Sequence, residues 1–134
     1  MTLDVHILAE SIRTSPTAES WIRMLTGLQT QPKSSEKMHK LEIVIDALIR
    51  TKRKTHVDLA LTLQYELVNE MGTKQCNQPI DVRLRLQLLR LLIATGDMKE
   101  AKIQYIMLNG LTQRLGLERD KLRSIVDRFP ALLK

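Results

Sequence analysis

Apolar residues recur along this chain at intervals of three and four, and polar stretches carrying Pro, Gly, Ser or Asp separate the runs. That spacing turns one face of an α-helix toward a core. Val5, Leu8 and Ile12 predict a short first helix. Ser15-Pro16 reads as an N-cap followed by proline at the first helical position, where the missing N–H costs nothing. Ala18, Trp21, Ile22, Leu25 and Leu28 then form the face of a second helix. The stretch Gln29 to Ser35 is polar, contains Pro32 and has no period, which predicts a linker.

From Glu36 to Arg50 a third helix carries Leu41, Val44, Ile45 and Leu48, with Ile43, Ala47 and Ile49 widening its stripe. A fourth is predicted to start at Thr55, where Thr55-His56-Val57-Asp58 resembles a capping box, and to end at Met71 with Gly72 as its left-handed terminator. After a polar loop over 72–78, Pro79 opens a fifth helix through Leu84, Leu88, Leu91 and Leu92 that stops at Gly96. Asp97-Met98-Lys99-Glu100 predicts a capping box for a sixth, which runs through Ala101, Tyr105, Leu108 and Leu111. A seventh bears Leu122, Ile125 and Val126, and Phe129-Pro130 stops it. Helices four to six are apolar on more than one side, since Leu59, Leu61, Leu63 and Leu67 cannot share one narrow stripe. The expected fold is all-α: about seven short helices in stacked antiparallel hairpins. They form one helical domain over 1–134, divided into an N-terminal pair (1–28), a linker (29–35) and the hairpins (36–134).

Composition agrees with helices. Aromatic residues make up 3% of the chain and hydrophobic residues 43%, so a core is affordable but a typical sandwich or barrel is not. A single cysteine, Cys76, excludes an internal disulfide framework and a thiolate-rich zinc site. No apolar run is long enough to span a bilayer and no signal-like pattern opens the chain, which leads us to expect a cytoplasmic protein.

Charge is unevenly placed. Residues 1–49 carry five basic and six acidic groups, and residues 50–134 carry sixteen and nine, so the net charge of +6 belongs to the later part. Its densest cluster, Arg50, Lys52, Arg53 and Lys54, reads either as a grip for phosphates or a carboxylate-rich partner, or as a solvated turn whose cations offset the end of the preceding helix.

The sequence offers little for catalysis. His6, His39 and His56 fall on different segments without a metal-ligand pattern, and Cys76 has no neighbouring base. Glycine-rich phosphate loops and nucleophile motifs are missing, so no enzyme, cofactor or metal is expected. Four aromatics on separate helices make a poor stacking platform for nucleic acid, although Arg119, Lys121, Arg123 and Arg128 could line the second helix of a helix-turn-helix.

Leu88, Leu92, Gly96-Asp97, Glu100, Ala101 and Tyr105 stand at the spacings of a tetratricopeptide repeat, and residues 84–105 resemble one such helical hairpin. Leu89 and Leu108 depart from that family's small residues. The region from Gly96 through Leu115-Gly116-Leu117, Leu122 and Ile125 is also similar to the helical-repeat segment of bacterial transcriptional activator domains. The tetratricopeptide resemblance implies that Arg83, Leu86, Arg90 and Ile93, spaced along one face of the fifth helix, line a groove for a partner segment with acidic and apolar groups. The competing reading makes Leu86 and Ile93 core, with both arginines lying over the edge. The expected function is a non-enzymatic protein–protein interaction module: an adaptor, chaperone or regulatory subunit. The alternative is a small basic nucleic-acid-associated or transcription-regulatory protein. Homo-oligomerisation through the N-terminal helices stays open.

Overall fold

A computed structural model describes residues 4–15 and 19–134. The expectations placed on Pro16 and Ala18, and with them the predicted start of the second helix, lie outside the described residues; Ser15 is the C-cap of the first helix, its N–H donating to the Ser11 carbonyl. The described residues form seven α-helices and no strand: α1 (Val5–Thr14), α2 (Glu19–Gln29), α3 (Ser35–Arg50), α4 (Lys54–Met71), α5 (Pro79–Thr95), α6 (Met98–Leu115) and α7 (Arg119–Arg128). A short 3-10 turn, Pro130–Leu133, follows. They fall into two compact units, Met1–Leu63 and Gln64–Lys134, and the division lies within α4. The segment 29–35 joins α2 to α3 inside the first unit.

In that first unit α1 packs chiefly on α3, with α2 touching both. The core is the predicted stripes: Val5, Leu8 and Ile12; Trp21, Leu25 and Leu28; Leu41, Val44, Ile45 and Leu48. Ile22, predicted on the buried face of α2, is 47% exposed. It lies about 100° around the helix from Trp21, outside the narrow strip that Trp21, Leu25 and Leu28 share. Asp4 caps α1 by accepting the His6 and Ile7 N–H groups. Ser34 caps α3 by accepting the Lys37 N–H at 3.0 Å. The buried Lys37 turns its ammonium onto the Gln29 carbonyl at the end of α2, 2.9 Å away, so 29–35 is a tied turn.

The predicted Thr55 cap is not where α4 begins. The helix starts at Lys54, and Thr51 is the hydroxyl at work there. Its Oγ1 donates to the Leu48 carbonyl at 2.8 Å and lies 3.0 Å from His56 Nδ1. The buried imidazole also meets the Trp21 indole edge-on, with centroids 5.5 Å apart.

The second unit is built on α5, which packs along α6, while α7 and the 3-10 turn pack on α6 and on each other. Gly96 sits at φ +86°, where a side chain would be strained, and lets the chain reverse between α5 and α6. Asp97 then accepts the Glu100 N–H at 3.2 Å, which is one half of the predicted capping box. Gly116 does for α6 what Gly96 does for α5, at φ +66°.

Gly72 differs from expectation. Its φ is not positive; a Cβ there would come within 2.5 Å of the Val68 carbonyl oxygen and 3.2 Å of Asp81 Oδ1. Glycine is required by close approach. The loop it opens is held by Asp81, a residue only 1% exposed. Oδ1 accepts the Thr73 N–H at 2.8 Å, and Oδ2 accepts the Thr73 hydroxyl at 2.6 Å and the Gln78 N–H at 3.0 Å. The buried Gln64 of α4 donates to the Leu84 carbonyl of α5 at 2.9 Å, a second polar tie inside this unit.

Candidate functional site

On α5, Asp81, Val82, Leu84, Leu86, Leu88, Leu89, Leu91 and Leu92 are all buried. Its exposed residues, Pro79, Arg83, Arg90 and Ala94, fall within a strip about 60° wide. Two hollows open along that strip, and residues of α7 and of the turns on either side of it form their opposite wall. One, of about 410 Å³, is lined by Arg90, Ile93 and Ala94 from α5 and by Lys121, Ser124, Ile125, Arg128 and Phe129. The other, of about 300 Å³, is lined by Pro79, Val82, Arg83, Leu86 and Arg90 from α5 and by Leu117, Glu118 and Lys121. Arg90 and Lys121 line both, so the hollows adjoin in one trough.

All four residues expected in a groove therefore line this trough: Arg83, Leu86 and Arg90 in one hollow, Arg90 and Ile93 in the other. Leu86 combines the two readings made of it, since it is 3% exposed and still forms part of the floor. Arg83 and Arg90 are exposed at the rim. Sequence reasoning missed the facing wall. Lys121 is held 2.7 Å from Glu118, one helical turn away. The Arg128 guanidinium lies 5.7 Å from the centre of the Phe129 ring. The floor is aliphatic and the rim is cationic, with Glu118 the one carboxylate among the lining residues. A surface of that kind offers apolar burial together with charge-assisted hydrogen bonds to carboxylates.

The basic cluster is spread over a turn. Arg50, in the last turn of α3, pairs with Asp46 at 2.9 Å, while Lys52 takes a left-handed backbone (φ +57°) between α3 and α4. Arg53 and Lys54 are exposed beside it. His6 and His39 are exposed and His56 is buried against Trp21. Cys76 stands half-buried in the loop before α5, and no group of three His, Cys, Asp or Glu able to hold a metal exists among the described residues. Tyr105 faces a separate hollow of about 320 Å³ between α6 and α7, lined also by Asn109, Arg123 and Val126.

No helix among the described residues is long and apolar enough to cross a membrane. No protein-family model, curated protein or solved structure matches the chain.

Proposed function

We propose that this chain is a non-enzymatic protein–protein interaction module, an adaptor, chaperone or regulatory subunit, that seats a segment of a partner protein in the trough between α5 and α7. The observation carrying this reading is the pair of adjoining hollows that share Arg90 and Lys121. An apolar floor under a cationic rim favours a segment that alternates aliphatic and acidic side chains. In this reading α5 and α6 are a tetratricopeptide-like hairpin. The left-handed Gly96, the Asp97 cap and the fully buried Ala101 support it. Nucleic acid suits the trough less well, because Glu118 stands within it and Asp120 beside the neighbouring cations.

The test is a pull-down from the native source with and without nuclease, followed by an affinity measurement on the recovered protein. The Arg83→Glu/Arg90→Glu chain, shown to be folded by circular dichroism, should bind at least about tenfold more weakly, as expected for reversing desolvated charge contacts. Unchanged affinity would remove the trough from the account. Recovery that vanishes with nuclease would point to nucleic acid.

A further inference from the structure

The outward side of α6 carries a second surface, unrelated to the trough. Ile103, Ile106 and Met107 are 45%, 69% and 38% exposed, and they follow one another along a single strip of the helix. Gly110 continues the strip one turn on. Beyond the adjoining backbone of its own helix, no atom lies within 4 Å of where its Cβ would be, so packing within this chain gives no reason for a glycine in mid-helix, where it weakens the helix. Lys99 and Arg114 close the strip at either end, and all six positions lie within about 100° of the helix circumference. The core-facing residues Ala101, Gln104, Leu108, Leu111 and Thr112 occupy the other side. Isolated exposed aliphatics are ordinary on a protein surface, but three in a row beside an unexplained glycine are not.

We propose that this strip docks an amphipathic helix of another protein, one with an apolar middle and acidic residues at both ends. The charges select that occupant. A second copy of the chain fits badly: antiparallel pairing about Ile106 sets Lys99 against Arg114 twice, and parallel pairing sets each cation against its own counterpart. Glu100 is the one acid of α6 and lies off the strip. Carboxylates on the occupant answer both cations, and because Lys99 and Arg114 are fifteen residues apart they stand about 22 Å, or four turns, from each other. Gly110 lets the two helix backbones come close where they cross, in the way that small residues do at other helix–helix contacts.

The probe is a synthetic helical peptide of about twenty residues, with Leu at i, i+3, i+4 and i+7 in its middle and Glu at both ends. Its control carries Lys in place of Glu. The full chain should bind the Glu-flanked peptide and not the control. Ile106→Asp should weaken binding at least about tenfold, the loss expected when one large aliphatic leaves an interface. Gly110→Phe should weaken it comparably without altering the circular dichroism or lowering the thermal transition. Lys99→Glu/Arg114→Glu should exchange the preference, binding the Lys-flanked peptide instead. Failure to bind the Glu-flanked peptide, or equal binding of both peptides, would overturn the proposal. A concentration-dependent dimer in sedimentation that Ile106→Asp abolishes would replace the occupant with a second copy. Cosedimentation with phosphatidylserine vesicles that is lost in Ile106→Asp, without peptide binding, would replace it with a lipid surface.

Discussion

Asp81 gives the sharpest test of how the second unit is held together. Its buried carboxylate accepts three hydrogen bonds, two from Thr73 and one from the Gln78 N–H, and so pins both ends of the loop between α4 and α5. A hydrogen bond to a charged group contributes roughly 1.5–3 kcal/mol net, and three that share one acceptor group do not add in full. Asp81→Asn keeps the shape but faces one donor with an NH₂, and should lower stability by about 2–3 kcal/mol. Asp81→Ala strands all three donors, and about 3–5 kcal/mol is expected. Either loss is a sizeable part of the roughly 7–20 kcal/mol that a chain of this length has in total. Urea unfolding followed by circular dichroism measures it, with the midpoint moving and the slope unchanged.

Acid supplies an independent check on the same group. Burial pushes the Asp81 carboxyl up. The Thr73 hydroxyl, the Thr73 and Gln78 N–H groups and the nearby Arg85 charge together outweigh it, so the net displacement is below the ordinary carboxylate range. As pH falls through that range the unfolded chain takes up a proton before the folded chain does. The contribution of Asp81 is therefore complete above the ordinary value and is lost as pH drops through the depressed one. The stability gap between the parent and Asp81→Asn should be widest near neutrality and should narrow on acidification. A gap under about 0.5 kcal/mol at pH 7, the size of an ordinary surface change, would refute the reasoning. So would a gap that stays constant into acid.

Glycine positions and a tyrosine give further outcomes. Gly72→Ala should destabilise by about 1–3 kcal/mol in urea unfolding, because its methyl group meets the Val68 carbonyl oxygen at 2.5 Å, a backbone atom that cannot step aside. Gly110→Ala should stabilise by about 1 kcal/mol, since the methyl enters open space in mid-helix, whereas Gly96→Ala should destabilise by a similar amount because φ is +86°. Ultraviolet titration should show a tyrosine ionising above the usual range: partial burial, then Glu100 and Asp97, push Tyr65 up. The stability tied to that shift persists at lower pH and fades as pH rises through the raised value, and Tyr65→Phe should abolish the displaced component.

What the sequence disclosed and what it withheld divide along a physical line. Helix positions and most buried faces are local properties, set by three- and four-residue spacing and by caps. Val5, Leu8 and Ile12, or Leu84, Leu88, Leu91 and Leu92, could be picked out without knowing any neighbour, and all are buried. Ile22 could not be sorted from them, because an aliphatic side chain reads alike whether or not another element covers it, whereas Ile103 and Ile106 fall off the stripe of Ala101, Tyr105, Leu108 and Leu111 and are exposed. The Asp81 staple was equally hidden. An aspartate three residues into a helix looks like an ordinary first-turn acid until its donors are located in the loop before it.

The trough stands between these cases, and α5 shows why. A helix buried on nearly all sides has little amphipathic contrast, so its pattern cannot say which side faces water. Arginine can, because a guanidinium is rarely buried without a partner. Arg83 and Arg90 lie seven residues apart, or nearly two turns, and so mark one strip; Pro79 and Ala94 prove to be exposed on that same strip. The sequence could thus locate the opening on α5. The wall across from it depends on how α7 folds back, which is a long-range outcome. Lys121, Ile125, Arg128 and Phe129 read as an amphipathic terminal helix and its stop until packing sets them opposite Arg90. The hollow exists because α5 and α7 each pack against α6, leaving a space between them that their own side chains do not fill.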